Sequence, residues 1–128
     1  MTKAELRRKI LSLRSGLSTD ERWRKSAAVC ERLFGLEEFQ VSETVLFFVG
    51  FGSEIETLPM INTALLQGKR VLVPKVNKGR PDLELRQLSD PATQLHSGTM
   101  GIPEPDDTCP LTPLEETDLI IVPAVAWD

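Results

Sequence analysis

The apolar residues of this 128-residue chain follow two kinds of pattern. Toward the N-terminus they recur every three or four positions. Leu6, Ile10, Leu13 and Leu17 form one stripe, and Trp23, Ala27, Cys30 and Phe34 form another. That spacing predicts two amphipathic helices. Each opens on a capping box, Thr2-Lys3-Ala4-Glu5 and then Ser18-Thr19-Asp20-Glu21, in which hydroxyl and carboxylate satisfy each other's backbone N–H. Gly35 is suited to end the second helix. Residues 36–42 read as a short connection.

Further on, the apolar residues come as continuous runs. These predict strands over 44–49, 70–74 and 118–122, each buried on both faces. Between the first two, Thr57 is placed to cap a helix over 58–67, with Pro59 in its first turn. Leu58, Ile61, Leu65 and Leu66 are expected to face inward, and Gly68 to end the helix. Strand, helix and strand in succession make a βαβ unit, which predicts parallel pairing. Leu83 and Leu85 alternate with Glu84 and Arg86, the pattern of a half-exposed edge strand. Residues 77–81 read as a turn. Residues 90–98 read as irregular or a short helix. Met100 to Pro105 reads as a rigid non-helical stretch, and 110–116 as a connector with one helical turn. The expected fold is a single α/β domain over 1–128: three-layer α/β/α, with a mostly parallel open sheet of Rossmann-like topology.

Composition adds little to this, being ordinary for a globular protein: 41% apolar and 27% charged. No apolar run approaches the ~18 residues of a membrane helix. The N-terminus carries no apolar secretory core, so a cytoplasmic location is expected. Cys30 and Cys109 lack metal-ligand spacing and read as free thiols in a reducing compartment. Charge is distributed unevenly. Residues 1–32 hold nine basic against four acidic side chains, a net of +5; the rest hold six against fifteen, a net of −9. A basic arm can signal nucleic acid, but this one is helical and the chain as a whole is acidic, with a pI near 5.1. A local anion site suits it as well as a polyanion does.

The candidate chemistry centres on Val45 to Thr57. A buried strand ends at Val49, Gly50 and Gly52 permit a sharp bend, and Glu54 and Glu56 follow before a helix. Ligands of open α/β sheets bind at such strand ends. At 100° per residue, Lys3, Arg7 and Arg14 share one stripe beside the apolar face of the first helix. They serve either as snorkelling, solubilising groups or as a cationic stripe for phosphates. Lys75, just past the second strand, is either a solvated loop residue or a second cation facing the same crevice. Glu56 is either catalytic or a helix-capping acid. The lone His96 reads as a surface residue. No dinucleotide fingerprint, zinc cluster or nucleophile–His pair occurs, and no residue is assigned a catalytic role.

Five stretches in register resemble the 5-formyltetrahydrofolate cyclo-ligase family, also called methenyltetrahydrofolate synthetases. They are Lys3-x-x-x-Arg7, Ser53-Glu-Ile-Glu-Thr57 after its strand, Gly68-Lys-Arg-Val-Leu-Val-Pro74, Met100-Gly-Ile-Pro-Glu-Pro105, and Asp118-Leu-Ile-Ile-Val-Pro-Ala-Val-Ala-Trp-Asp128. The resemblance implies ATP-dependent, Mg²⁺-requiring cyclisation of 5-formyltetrahydrofolate to 5,10-methenyltetrahydrofolate, with release of ADP and phosphate. Polyglutamylated forms of the substrate are admitted; nucleic-acid and membrane partners are not expected. It matches Lys3 and Arg7 to the ATP-contacting pair, and Val49 and Glu54 to folate-contacting positions. Met100 stands where some members carry a tryptophan against the folate. The family's pattern continues beyond Asp128 with a Gly-rich Arg-x-Gly-x-Gly-x-Gly-Tyr-Tyr-Asp loop holding much of the ATP and metal site. The chain is therefore expected to be truncated before the C-terminal part, without metal ligands of its own and inactive alone. The alternative is an inactive folate- or small-molecule-binding regulatory module of the same fold.

Overall fold

The computed structural model describes residues 1–76, 79 and 82–126. The turn expected over 77–81, apart from Gly79, and the chain's last two residues lie outside the described residues. Helices α1 (Lys3–Ser15) and α2 (Thr19–Gly35) lead to a short α3 (Glu37–Val41) and strand β1 (Thr44–Leu46). Helix α4 (Leu58–Leu66) connects β1 to β2 (Arg70–Val76), and β3 (Leu83–Leu88) follows. A short α5 (Pro91–Gln94), β4 (Leu95–Ser97), a 3₁₀ turn (Thr99–Gly101) and β5 (Pro103–Pro105) come next. A second 3₁₀ turn (Leu114–Glu116) precedes β6 (Leu119–Ile120).

The main sheet has the order β3-β2-β1-β6. β1 pairs in parallel with both β2 and β6, and β3 lies antiparallel on the β2 edge. The sheet is thus mixed, mostly parallel and flanked by helices, as the alternation of apolar runs and helical stripes predicts. β4 and β5 form a separate hairpin. Among the described residues no helix is long and apolar enough to cross a membrane.

One face of the sheet carries the core. Val45, Phe47 and Val49 alternate with half-buried Leu46 and Phe48, and their side joins Val71, Val73 and Leu88. Phe39 of α3 and Met60, Ile61 and Ala64 of α4 close over them. The fully two-sided burial expected of the first and third strands is not found; Ile120, on the other face, is 48% exposed. These strands are also shorter than their apolar runs. Pairing nevertheless continues past their ends, with Phe47 N–H donating to Leu72 O and Ile121 N–H to Leu46 O, both at 2.9 Å.

The helix ends divide into those set locally and those set from a distance. Both capping boxes form, with Thr2 accepting from Glu5 N–H and Ser18 from Glu21 N–H. Gly68, at φ 81°, ends α4 in a Schellman motif: Lys69 N–H reaches Ala64 O and Gly68 N–H reaches Leu65 O. Gly35 instead stays helical, and extended Leu36 leads straight into α3. The α2 face is rotated from expectation. Ser26 is buried and Trp23 is 47% exposed, because α2 meets the turn after β1 through its hydroxyl side. On α4, Leu66 points outward and Met60 and Ala64 take the inward places. No residue of α1 is fully buried.

Candidate active site

The chain leaves β1 toward β2 on one side and returns to form β6 on the other. Winding direction therefore reverses at β1, and a crevice opens beyond the carboxyl ends of β1 and β6. The 50–57 turn forms one wall of this crevice, and its backbone is held at several points. Gly50 N–H donates to Thr57 Oγ1 at 2.8 Å, so Thr57 closes the turn and does not cap α4. A Cβ on Gly50 would lie 2.1 Å from Ile55 O, so the close approach requires glycine. Gly52 takes a φ of 64°. Ser53 Oγ accepts from Arg14 Nε–H at 2.9 Å, and Glu56 N–H donates to Ser26 Oγ at 2.9 Å.

The two carboxylates of the turn go separate ways. Glu54 faces the crevice. Its Oε1 accepts the Phe51 N–H at 2.9 Å, and among the described residues its Oε2 has no hydrogen-bond partner. Glu56 turns to α2 and sits 3.1 Å from Arg22 Nε. That contact is an ion pair without hydrogen-bond alignment, since Arg22 Nε is buried and makes no directed bond. Of the two roles open to Glu56, catalysis and capping, this position supports neither; it braces the turn against α2.

Two cavities share the Glu54 wall. The first, about 380 Å³, is bounded by Arg14, Phe48, Glu54 and residues 121–125 after β6. The second, about 310 Å³, brings together Val49, Glu54 and Met100, with Pro74, Ile102 and Glu104. Phe48, Glu54 and Pro123 line both. The second cavity is mostly apolar with few polar groups, as suits a flat heteroaromatic ligand. Met100 is 84% exposed and adopts φ 58° at the hairpin apex, a conformation disfavoured for any residue with a Cβ. The hairpin is anchored behind it by Glu104, whose Oε2 accepts the Val76 N–H at 3.0 Å. Gly98 leaves room for that side chain; a Cβ there would lie 2.2 Å from Glu104 Oε1.

Lys75 is not in this crevice. It lies within β2, on the opposite face from Pro74, which lines the Glu54 cavity. Its ammonium pairs with Asp107 at 3.3 Å and borders a further cavity of about 890 Å³, with Glu84, Arg86 and His96. That space meets the Met100 cavity at Val76, Met100 and Glu104. His96 is exposed, with Nε2 2.9 Å from Asp106 Oδ2. The Thr108 hydroxyl, and after it His96, hold the Asp106 carboxyl below its usual value. Burial pushes both cysteine thiols up, away from reactivity.

Lys3 and Arg7 are exposed and line none of these cavities. They share a stripe of α1 with Arg14, which does. Helical rise puts Arg7 about 10 Å and Lys3 about 16 Å along the axis from Arg14. Among the described residues no three His, Cys, Asp or Glu side chains are grouped to hold a metal ion. Sequence reasoning missed Ser53, Phe48, Pro123 and Glu104. For Glu104 a signal existed, an acid fixed between two prolines; for Ser53 there was none beyond its place in the turn.

The model of the 5-formyltetrahydrofolate cyclo-ligase family matches residues 1–128. A probable 5-formyltetrahydrofolate cyclo-ligase of Caenorhabditis elegans is 32% identical over 98% of this chain and 63% of its own length. The 5-formyltetrahydrofolate cyclo-ligase of Escherichia coli K12 is 27% identical over 90% of this chain and 64% of its own. The NMR structure of Aquifex aeolicus 5,10-methenyltetrahydrofolate synthetase superposes with a TM-score of 0.86 and 34% identity, over all of this chain and 63% of that one. The chain thus spans somewhat under two thirds of these relatives. Matched by the family's model along all of its 128 residues, it belongs to the 5-formyltetrahydrofolate cyclo-ligase family.

Proposed function

We propose that the protein containing this chain converts 5-formyltetrahydrofolate and ATP to 5,10-methenyltetrahydrofolate, ADP and phosphate. The observation that carries this reading is the cavity in which Val49 and Glu54, from the stretch that follows β1 and its turn, meet Met100 of the distant β4–β5 hairpin. Glu54 offers an acceptor-only carboxylate, and the amino-pyrimidine edge of a pterin offers adjacent N–H donors. Val49 and Met100 supply apolar contact to the ring system. In the reaction the formyl oxygen takes the γ-phosphoryl group and ADP leaves. The neighbouring folate nitrogen then forms the new C–N bond, loses its proton, and phosphate departs with the formyl oxygen.

Lys3 and Arg7 are proposed to hold the nucleotide, since phosphoryl transfer depends on cations that neutralise charge spread over the phosphate oxygens. Mg²⁺, when bound with ATP, would supply further neutralisation; no residue described here is assigned to it. The test is an assay of the complete protein for methenyl product and ADP together. Equal amounts of both, each dependent on 5-formyltetrahydrofolate, are expected. Folate binding without turnover, or ADP release without folate, would overturn the reading in favour of a binding module.

A further inference from the structure

Arg14 stands apart from the other cations of α1. Lys3, Arg7, Arg8 and Lys9 are all exposed; Arg14 is half-buried, and its Nε–H is committed to Ser53 Oγ at 2.9 Å. Among the described residues its two terminal nitrogens have no hydrogen-bond partner. It lines the 380 Å³ cavity, where among the described residues the charged side chains are its own and that of Glu54; the remaining walls are mainly apolar, including Phe48, Ile55 and Val122. A guanidinium fixed through Nε leaves its two Nη groups as a planar fork, the geometry that grips a phosphoryl or carboxylate group.

We infer that Arg14 binds the phosphoryl group as it passes from nucleotide to folate. This rests on the function proposed above. Glu54 is one residue from the Ser53 tether and lines both the Arg14 cavity and the Met100 cavity. Once a pterin occupies the second cavity, its donors engage the Glu54 carboxylate, and the Arg14 Nη groups remain as donors without an acceptor among the described residues. An anion is then the group that the apolar cavity lacks. Arg14 also terminates the stripe that begins with Lys3 and Arg7, so a nucleotide lying along α1 would bring its last phosphate toward Arg14 and the Glu54 turn. In the step itself the formyl oxygen–phosphorus bond forms and the bond from phosphorus to the ADP oxygen breaks. The two Nη groups donate to phosphoryl oxygens throughout and no proton leaves Arg14.

A purely structural Arg14 would act only through Ser53, and this sets the test. In the complete protein, Arg14→Ala, Arg14→Lys and Ser53→Ala are compared for kcat and for both KM values, beside their melting curves. If Arg14 holds the phosphoryl group, Arg14→Ala lowers kcat by about a hundred- to a thousandfold, with little change in folate KM. Arg14→Lys recovers part of that loss by restoring the charge, and Ser53→Ala costs far less than Arg14→Ala. If Ser53→Ala and Arg14→Ala lose activity equally and melt equally early, Arg14 is only a tether and the inference fails. It fails also if Arg14→Ala keeps its kcat. A wild-type protein that makes no methenyl product would instead remove the function on which the inference rests.

Discussion

Thr57 Oγ1 accepts the N–H of Gly50 at 2.8 Å, and through this bond a residue expected to cap a helix closes the turn that carries Glu54. Thr57 is 1% exposed, so water cannot readily replace the bond if it is lost. Thr57→Val keeps the shape and deletes the acceptor, stranding the Gly50 N–H. A loss of about 1–3 kcal/mol is expected in urea unfolding. Thr57→Ser retains the hydroxyl and should recover most of it. Equal stability of all three proteins would show the bond to be dispensable.

Glu54→Gln should weaken folate binding and leave ATP binding nearly unchanged. The variant keeps an oxygen for the Phe51 N–H, so the turn persists and the melting temperature should hold. The pterin's donors lose a charged partner, worth about 1.5–3 kcal/mol, or roughly ten- to a hundredfold in Kd. Calorimetric titration with each ligand separates this from a merely structural acid near a helix start, whose loss would lower the melting temperature instead.

Arg7→Ala in the complete protein should raise the KM for ATP about tenfold or more, and the KM for folate far less. Arg7 is exposed and contributes nothing to the core, so stability should not move. Steady-state kinetics with each substrate varied in turn is the check. An equal rise in both constants would place Arg7 outside the nucleotide site.

The Asp106 brace gives a pH dependence of definite sign. Hydrogen bonds from Thr108 and contact with His96 depress its folded pKa below the ordinary 3.8. A depressed carboxyl contributes stability above its unfolded value, and the contribution disappears as pH falls through the folded one. The melting temperature of the wild type should therefore exceed that of Asp106→Asn near neutrality, and the gap should close below about pH 4. A gap that stays constant into strong acid would contradict the assignment.

What the sequence disclosed and what it concealed differ in range. The capping boxes of Thr2 and Ser18 and the glycine stop at Gly68 depend on residues a few positions apart, and all three are legible before any coordinates. The parallel pairing of β1 with β2 follows from their apolar runs and the helix between them. Val49, Glu54 and Met100 were named from a family resemblance, but no spacing rule could say that they line one cavity. The bond between Arg14 and Ser53 spans 39 positions and the contact of Glu56 with Arg22 joins the turn after β1 to α2; neither leaves a local mark. Trp23 misled because helical spacing set it on the apolar stripe with Ala27, Cys30 and Phe34, whereas the hydroxyl of Ser26 had a backbone partner waiting. Lys75 misled because an apolar run was taken to end the strand at Pro74, when pairing with β3 carries it to Val76.

Helix α1 contributes no fully buried side chain, and its one side-chain hydrogen bond to another element, among the described residues, is that of Arg14. Its backbone amides should accordingly exchange with deuterium well before those of β1 and β2, which open only with the whole core. The segment proposed to carry the nucleotide's cations would then be the first to come loose. Filling that site should slow exchange over Lys3–Ser15 while leaving the sheet unaltered, so ligand occupancy is expected to register as a local rise in protection and only weakly in the global melt.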